Sequence, residues 1–104
     1  MIAASDLYLR RVDHPQAHDN YRVILNLDDE VLEIGSIGIQ YTTGMNAVWR
    51  WGIDTVLPMR SPDRTGEGQD RADCMRQFRA AWMAFAAVEA NLAAFLDAKR
   101  RARR

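Results

Sequence analysis

With a single cysteine, Cys74, the chain cannot close an internal disulfide. That excludes a small disulfide-stapled scaffold and fits a reducing compartment. No apolar run approaches the roughly 20 residues that span a bilayer. The opening MIAASDLYLRRVD reaches Asp6, Arg10 and Arg11 too early for the apolar region of a signal peptide. These features predict a cytoplasmic protein with no membrane partner. The sequence also lacks a Walker loop, a dinucleotide fingerprint and a zincin motif, and Ser36 has no nucleophile-elbow flanks. Of the two histidines, His14 precedes Pro15 and His18 follows in the same polar stretch, HPQAHDN, which reads as loop. Even with Asp13 and Asp19 nearby, these histidines lack the helical i, i+4 placement that would put both on one face toward a metal. The sequence therefore predicts no metal site, no cofactor and no enzyme.

Lysine is almost absent: Lys99 stands alone among fourteen basic residues. The charges balance overall but are unevenly placed. Residues 1–98 hold nine basic and fourteen acidic groups, a net of −5, and the end KRRARR holds the other five basic residues. A basic end on an acidic body points toward a polyanionic partner, or else toward a solvated helix end whose charge complements the helix dipole. At 104 residues, 48% hydrophobic and 27% charged, the chain has room for one globular domain. We place that domain at 1–98 and a basic tail at 99–104.

Alternation of apolar and polar residues predicts strands first. LYLRR is a short strand. NYRVILN puts Tyr21, Val23 and Leu25 on one face and Arg22 and Ile24 on the other. LDDE supplies a turn, and VLEIGSIGIQ returns to form a hairpin. Within it Leu32 and Ile34 share one parity and Ile37 and Ile39 the other, so a bulge is expected near Gly35–Ser36. AVWRWGIDTV is the next strand, and LPMRSPDRTGEGQD, with its prolines, glycines and charges, reads as an irregular connection.

From Asp70 the pattern becomes helical, rich in Ala and free of Gly and Pro. Asp70 is the expected N-cap, with Asp73 in the place of the usual capping-box Glu. Met75, Phe78, Trp82 and Phe85 form one apolar stripe. About 30 helical residues reach roughly 45 Å, longer than a narrow sheet can cover unless the helix bends. Val88, Leu92, Phe95 and Leu96 form a second stripe beyond Glu89. The N-terminal segment, a second copy of the chain or another partner could cover it. The fold class expected is α+β: an antiparallel meander of three or four strands packed on one long C-terminal helix.

Parity assigns Trp49, Trp51 and Ile53 to the core, against Met75, Phe78 and Trp82, and leaves Arg50 on the opposite face with Arg22. Arg60 and Arg64 precede the helix N-terminus, a natural place for an anion. Arg22, Arg50, Arg60, Arg64, Arg100 and Arg101 are therefore the candidate nucleic-acid contacts. Glu33 and Asp54 share the same surface and oppose that role. GSIG at 35–38 has the GxxG spacing of KH domains but lies in a strand rather than between helices. Cys74 sits at the edge of the apolar stripe, the place of a small buried thiol. The function expected is a small non-catalytic binding or interaction module. It would self-associate through Val88, Leu92, Phe95 and Leu96; nucleic-acid binding is the alternative.

LYLRR, VWRWGID and DCMRQFRAAWMAF together resemble a family of small bacterial proteins. These share a Tyr-Leu-Arg start, a Trp-x-Trp strand and a C-terminal amphipathic helix, and the family has no established activity. More distantly, strands followed by a helix are similar to the DNA-binding arms of tyrosine integrases and to plant AP2 domains. That second resemblance implies architecture alone.

Overall fold

The computed structural model describes residues 6–13, 19–41, 46–54 and 64–102. Five strands form one antiparallel sheet whose spatial order follows the chain: β1 (Leu7–Arg11), β2 (Asn20–Leu27), β3 (Glu30–Tyr41), β4 (Ala47–Ile53) and β5 (Thr65–Gly68). Helices α1 (Arg71–Ala86) and α2 (Glu89–Ala102) follow. The α+β class and the antiparallel meander agree with the sequence reading. The counts do not, because the described residues form one strand more than the upper expectation and two helices in place of one.

The hairpin between β2 and β3 closes on Asp28 and Asp29, with Leu27 opposite Glu30. The register shifts between Val23 and Ile24, where Val23 pairs with Gly35 and Ile24 with Glu33. Ile34 is thus the extra residue of a bulge. It lets Leu32, Ile34 and Ile37 all turn into the core although their parity differs.

The additional strand is β5. Its sequence, TGEG, carries no alternating apolar residue and so gives no strand signal of its own. Its position comes from β4: Trp51 pairs with Gly66, and a Cβ at Gly66 would stand 2.6–2.9 Å from the Trp51 ring. The indole lies where a side chain would be. Trp51 also meets Phe78 edge-on at 5.9 Å between ring centroids and donates its indole N–H to Gln77 Oε1 at 2.9 Å. Trp51 and Ile53 are buried as parity requires, and Trp49 is partly buried against the same cluster.

Helix α1 begins at Asp70, whose side chain accepts the Asp73 N–H at 2.8 Å. The return bond runs from the Gln69 N–H to Asp73 Oδ2 at 2.9 Å, one residue before the cap rather than at the cap itself. From there α1 lays Cys74, Met75, Phe78, Trp82 and Phe85 on the sheet.

The long helix expected from sequence is broken at Ala87 and Val88, and the two halves are bent by 107°. The bend turns the second apolar stripe inward. Phe95 is fully buried, edge-on to Trp82 at 5.1 Å and to Phe85 at 5.8 Å. Leu92 and Leu96 pack partly buried against the core, and of the four stripe residues only Val88 stays exposed. Of the stripe Val88, Leu92, Phe95 and Leu96, the chain itself thus covers Phe95 fully and Leu92 and Leu96 in part.

The basic end is likewise not a free tail as far as it is described. Lys99 to Ala102 belong to α2, where Lys99 binds Asp54, Arg100 binds Glu30 and Arg101 binds Asp97. Lys99, Arg100 and Arg101 are thus each paired with a carboxylate. Among the described residues no single helix is long and apolar enough to cross a membrane.

Candidate functional site

Cross-strand registry decides what the sheet shows on the face away from α1. One row runs Arg10, Arg22, Ser36, Gly52, Thr65; the next runs Asn20, Gly38, Arg50, Glu67. Ser36 and Gly52 thus lie side by side in the first row, between Arg22 and Thr65, and Gly38 lies in the next, between Asn20 and Arg50. The result is a trough of about 470 Å³ floored by Ser36, Gly38 and Gly52 and walled by Asn20, Gln40, Arg50 and Thr65. The Asn20 side chain leans across the position a Gly38 side chain would fill.

A chain of alternating charges borders one end of the trough. Arg10 binds Glu33 at 2.6 Å, Glu33 receives Arg22 at 3.2 Å, Arg22 binds Asp54 at 2.5 Å, and Lys99 reaches Asp54 at 2.5 Å. Ile24, paired with Tyr8 and Glu33 on this face, is fully buried, so the face is closed at that end. Burial opposes the charge on Asp54. The hydrogen bonds and charges of Arg22 and Lys99 outweigh it and hold the carboxyl below its ordinary value. Arg22 shows the converse: burial again opposes its charge, but Asp54 and Glu33 raise its proton affinity.

This arrangement sets a pH dependence with a definite sign. A carboxyl whose folded-state pKa is depressed contributes stability above its unfolded value and loses it as pH falls through the folded one. Asp54 therefore contributes fully above about its ordinary 3.8 and stops contributing on further acidification. Asp73, held low by the Gln69 N–H despite some desolvation and helped by Gln77 and Arg76, adds to the same acid loss. Urea titrations between pH 7 and pH 2 should show stability falling below pH 4, and Asp54→Asn should make that fall shallower than in the wild type.

The candidate cations divide according to their partners. Arg22, Arg100 and Arg101 are held by carboxylates. Arg50 is exposed beside the trough, with a long 3.4 Å pairing to Glu67. Arg64 is partly buried, and its carbonyl accepts the Ile53 N–H at 2.9 Å. Arg60 lies outside the described residues, as do His14 and His18. The helix N-terminus that these arginines precede carries Asp70 and Asp73, and Asp70 accepts the Asp73 N–H, so two carboxylates already stand where an outside anion would approach. On the same side Arg71 stacks over Tyr21 at 5.0 Å and donates to its hydroxyl at 2.9 Å.

Cys74 is fully buried. Burial first, and then the charges of Asp73 and Asp70, raise its thiol pKa, which disfavours the thiolate needed for nucleophilic attack. Among the described residues no group of three His, Cys, Asp or Glu side chains is placed to hold a metal ion. Sequence reasoning found Arg22 and Arg50 but missed the trough between them. The available signal was that Ser36, Gly38 and Gly52 face the same way, which is visible only once β3 and β4 are set in register. No family model matches this chain, and neither the curated proteins nor the solved structures contain a match to it.

Proposed function

We propose that the protein is a small non-catalytic binding module whose ligand lies in the sheet trough over Ser36, Gly38 and Gly52. The observation that carries this reading is the trough itself: Ser36, Gly52 and Gly38 form a low floor while Arg50, Gln40 and Asn20 stand at its rim. Exposed backbone and mixed polar side chains at the wall offer donors and acceptors together. Arg22 faces Asp54 and Arg50 faces Glu67, so the surface carries both signs in alternation. That favours a polar partner near neutrality, bound through hydrogen bonds, over a polyanion held by phosphate contacts.

The test fills the floor. Ser36 is exposed, so Ser36→Trp should occupy the trough and leave the melting temperature within a few degrees of wild type. Wild-type and Ser36→Trp proteins are used as baits in the native cell extract, each with and without nuclease. A partner retained by wild type, lost with Ser36→Trp and indifferent to nuclease supports the reading. Retention that survives Ser36→Trp would remove the trough as the site. Retention abolished by nuclease, with salt-dependent binding to random-sequence DNA, would favour the nucleic-acid alternative.

A further inference from the structure

The sequence at the bend between the two helices holds no residue that usually breaks a helix: the junction Phe85-Ala86-Ala87-Val88-Glu89-Ala90 contains neither glycine nor proline. Ala87 keeps right-handed helical angles, φ −64° and ψ −21°, and its N–H still donates to the Met83 carbonyl at 3.0 Å. Val88 donates to Phe85 at 3.3 Å, and the Val88 carbonyl accepts the Leu92 N–H at 3.1 Å. The helical pattern is therefore interrupted at Val88 and resumes at once. What holds the bend is remote: Phe95 between Trp82 and Phe85, Lys99 on Asp54, and Arg100 on Glu30.

Each of those contacts joins α2 to residues before the junction. None depends on α2 belonging to the same chain. If residues 87 and 88 adopt the conformation their sequence favours, α1 and α2 become one helix of about 48 Å, at 1.5 Å per residue. Phe95 and Lys99 then leave their own core, and the groove beside Trp82 and Phe85 opens. We infer that a second copy of this chain fills that groove with its own α2, and that the two copies exchange these helices reciprocally to form a closed two-fold dimer. The fit of groove and occupant is already visible within one chain, so the exchanged form recreates the same Phe95, Lys99 and Arg100 contacts between chains. The two forms then differ at the junction and in the cost of association, so protein concentration sets the balance. Val88, 50% exposed at the bend, is the exposed large hydrophobic residue of the helical half among the described residues. Straightening places it inside a continuous helix.

The lone lysine supplies the test. Lys99 Nζ lies 2.5 Å from Asp54 Oδ2. A water-soluble carbodiimide activates the carboxylate, the amine displaces the activating group as a urea, and one amide joins the two side chains. In the closed monomer that amide lies within a chain; in the exchanged dimer it joins two. Equal amounts of ordinary and 15N-labelled full-length protein are unfolded, refolded together at high concentration, separated by size, cross-linked and digested. Mass spectrometry then reads the isotope pairing of the Lys99–Asp54 peptide. We expect mixed-isotope pairs in the dimer fraction and none in the monomer. Val88→Ala should raise the dimer fraction severalfold, and Val88→Pro, which cannot sit inside a straight helix, should lower it at least tenfold. Val88→Gly provides the same direction if the proline variant folds poorly. A dimer whose Lys99–Asp54 amide is always within one chain would overturn the inference, as would a strict monomer at all concentrations in both wild type and Val88→Ala.

Discussion

Gly35→Ala is expected to destabilise this protein by about 3 kcal/mol or more, the upper end of the usual cost of overpacking a core. A Cβ at this position would lie 2.5–2.7 Å from two atoms of the Phe78 ring and closer still to the carbonyl oxygen of Gly52. Phe78 is fully buried, so its ring has no free side to turn toward. The Gly52 oxygen belongs to the neighbouring strand backbone, and moving it strains the β3–β4 pairing. Lower unfolded-state entropy would return only about 0.4–1 kcal/mol. Urea unfolding should show a much reduced midpoint. Phe78→Leu placed on top of Gly35→Ala should recover part of the loss and not all of it, because the carbonyl contact remains. Gly52→Ala is the internal control: its Cβ would meet only Thr65 Cγ2 at 3.4 Å and the Arg64 oxygen at 4.0 Å, ordinary contact distances. It should unfold close to the wild-type midpoint.

Phe95→Ala should cost about 3–5 kcal/mol, the range for truncating a buried aromatic side chain. A domain of this size has a total stability of about 5–15 kcal/mol, so the variant would stand near the edge of folding. The loss has a particular character here. Phe95 is the fully buried anchor of α2, and the flanking Leu92 and Leu96 are only partly covered. Without the ring, α2 should leave its groove before the sheet unfolds. Limited trypsin digestion should then cut at Lys99, Arg100 and Arg101 faster than at Arg22, while strand signals in circular dichroism persist. Loss of sheet and helix together at one urea concentration, with no early cleavage, would show that α2 does not undock separately.

These two residues also mark how far the sequence could be read. Alternation placed Val23, Leu25, Trp51 and Ile53 inward, and the parity change between Leu32–Ile34 and Ile37–Ile39 located the bulge at Ile34 within a residue of the expected Gly35–Ser36. Asp70 as N-cap was legible because a cap acts through its own side chain on the next turn. What failed to show was fixed from a distance. The TGEG strand depends on Trp51 lying over Gly66, and the bend at Val88 depends on Phe95 finding Trp82. A helix-forming sequence therefore reads straight where the folded chain turns. The site followed the same division. The outward faces of Arg22 and Arg50, and the presence of Glu33 and Asp54 on that surface, followed from strand parity. The exact pairing of Arg22 with both carboxylates, and the cleared floor between β3 and β4, required the register of separate strands.

The order of the sheet bears on how the chain finds this structure. Every strand pairs with its immediate neighbour in sequence, so each pairing closes a comparatively short stretch of chain. The helices close longer spans: Arg71 meets Tyr21 across 50 positions, Lys99 meets Asp54 across 45 and Arg100 meets Glu30 across 70. Closing such spans carries a larger entropy cost and belongs late in folding. The meander can assemble from contacts made nearby, whereas both helices dock on surfaces that exist only after the sheet has formed. In the exchange inferred above, the docking of α2 is the step at which a chain chooses between its own helix and a neighbour's, so protein concentration during refolding bears on it.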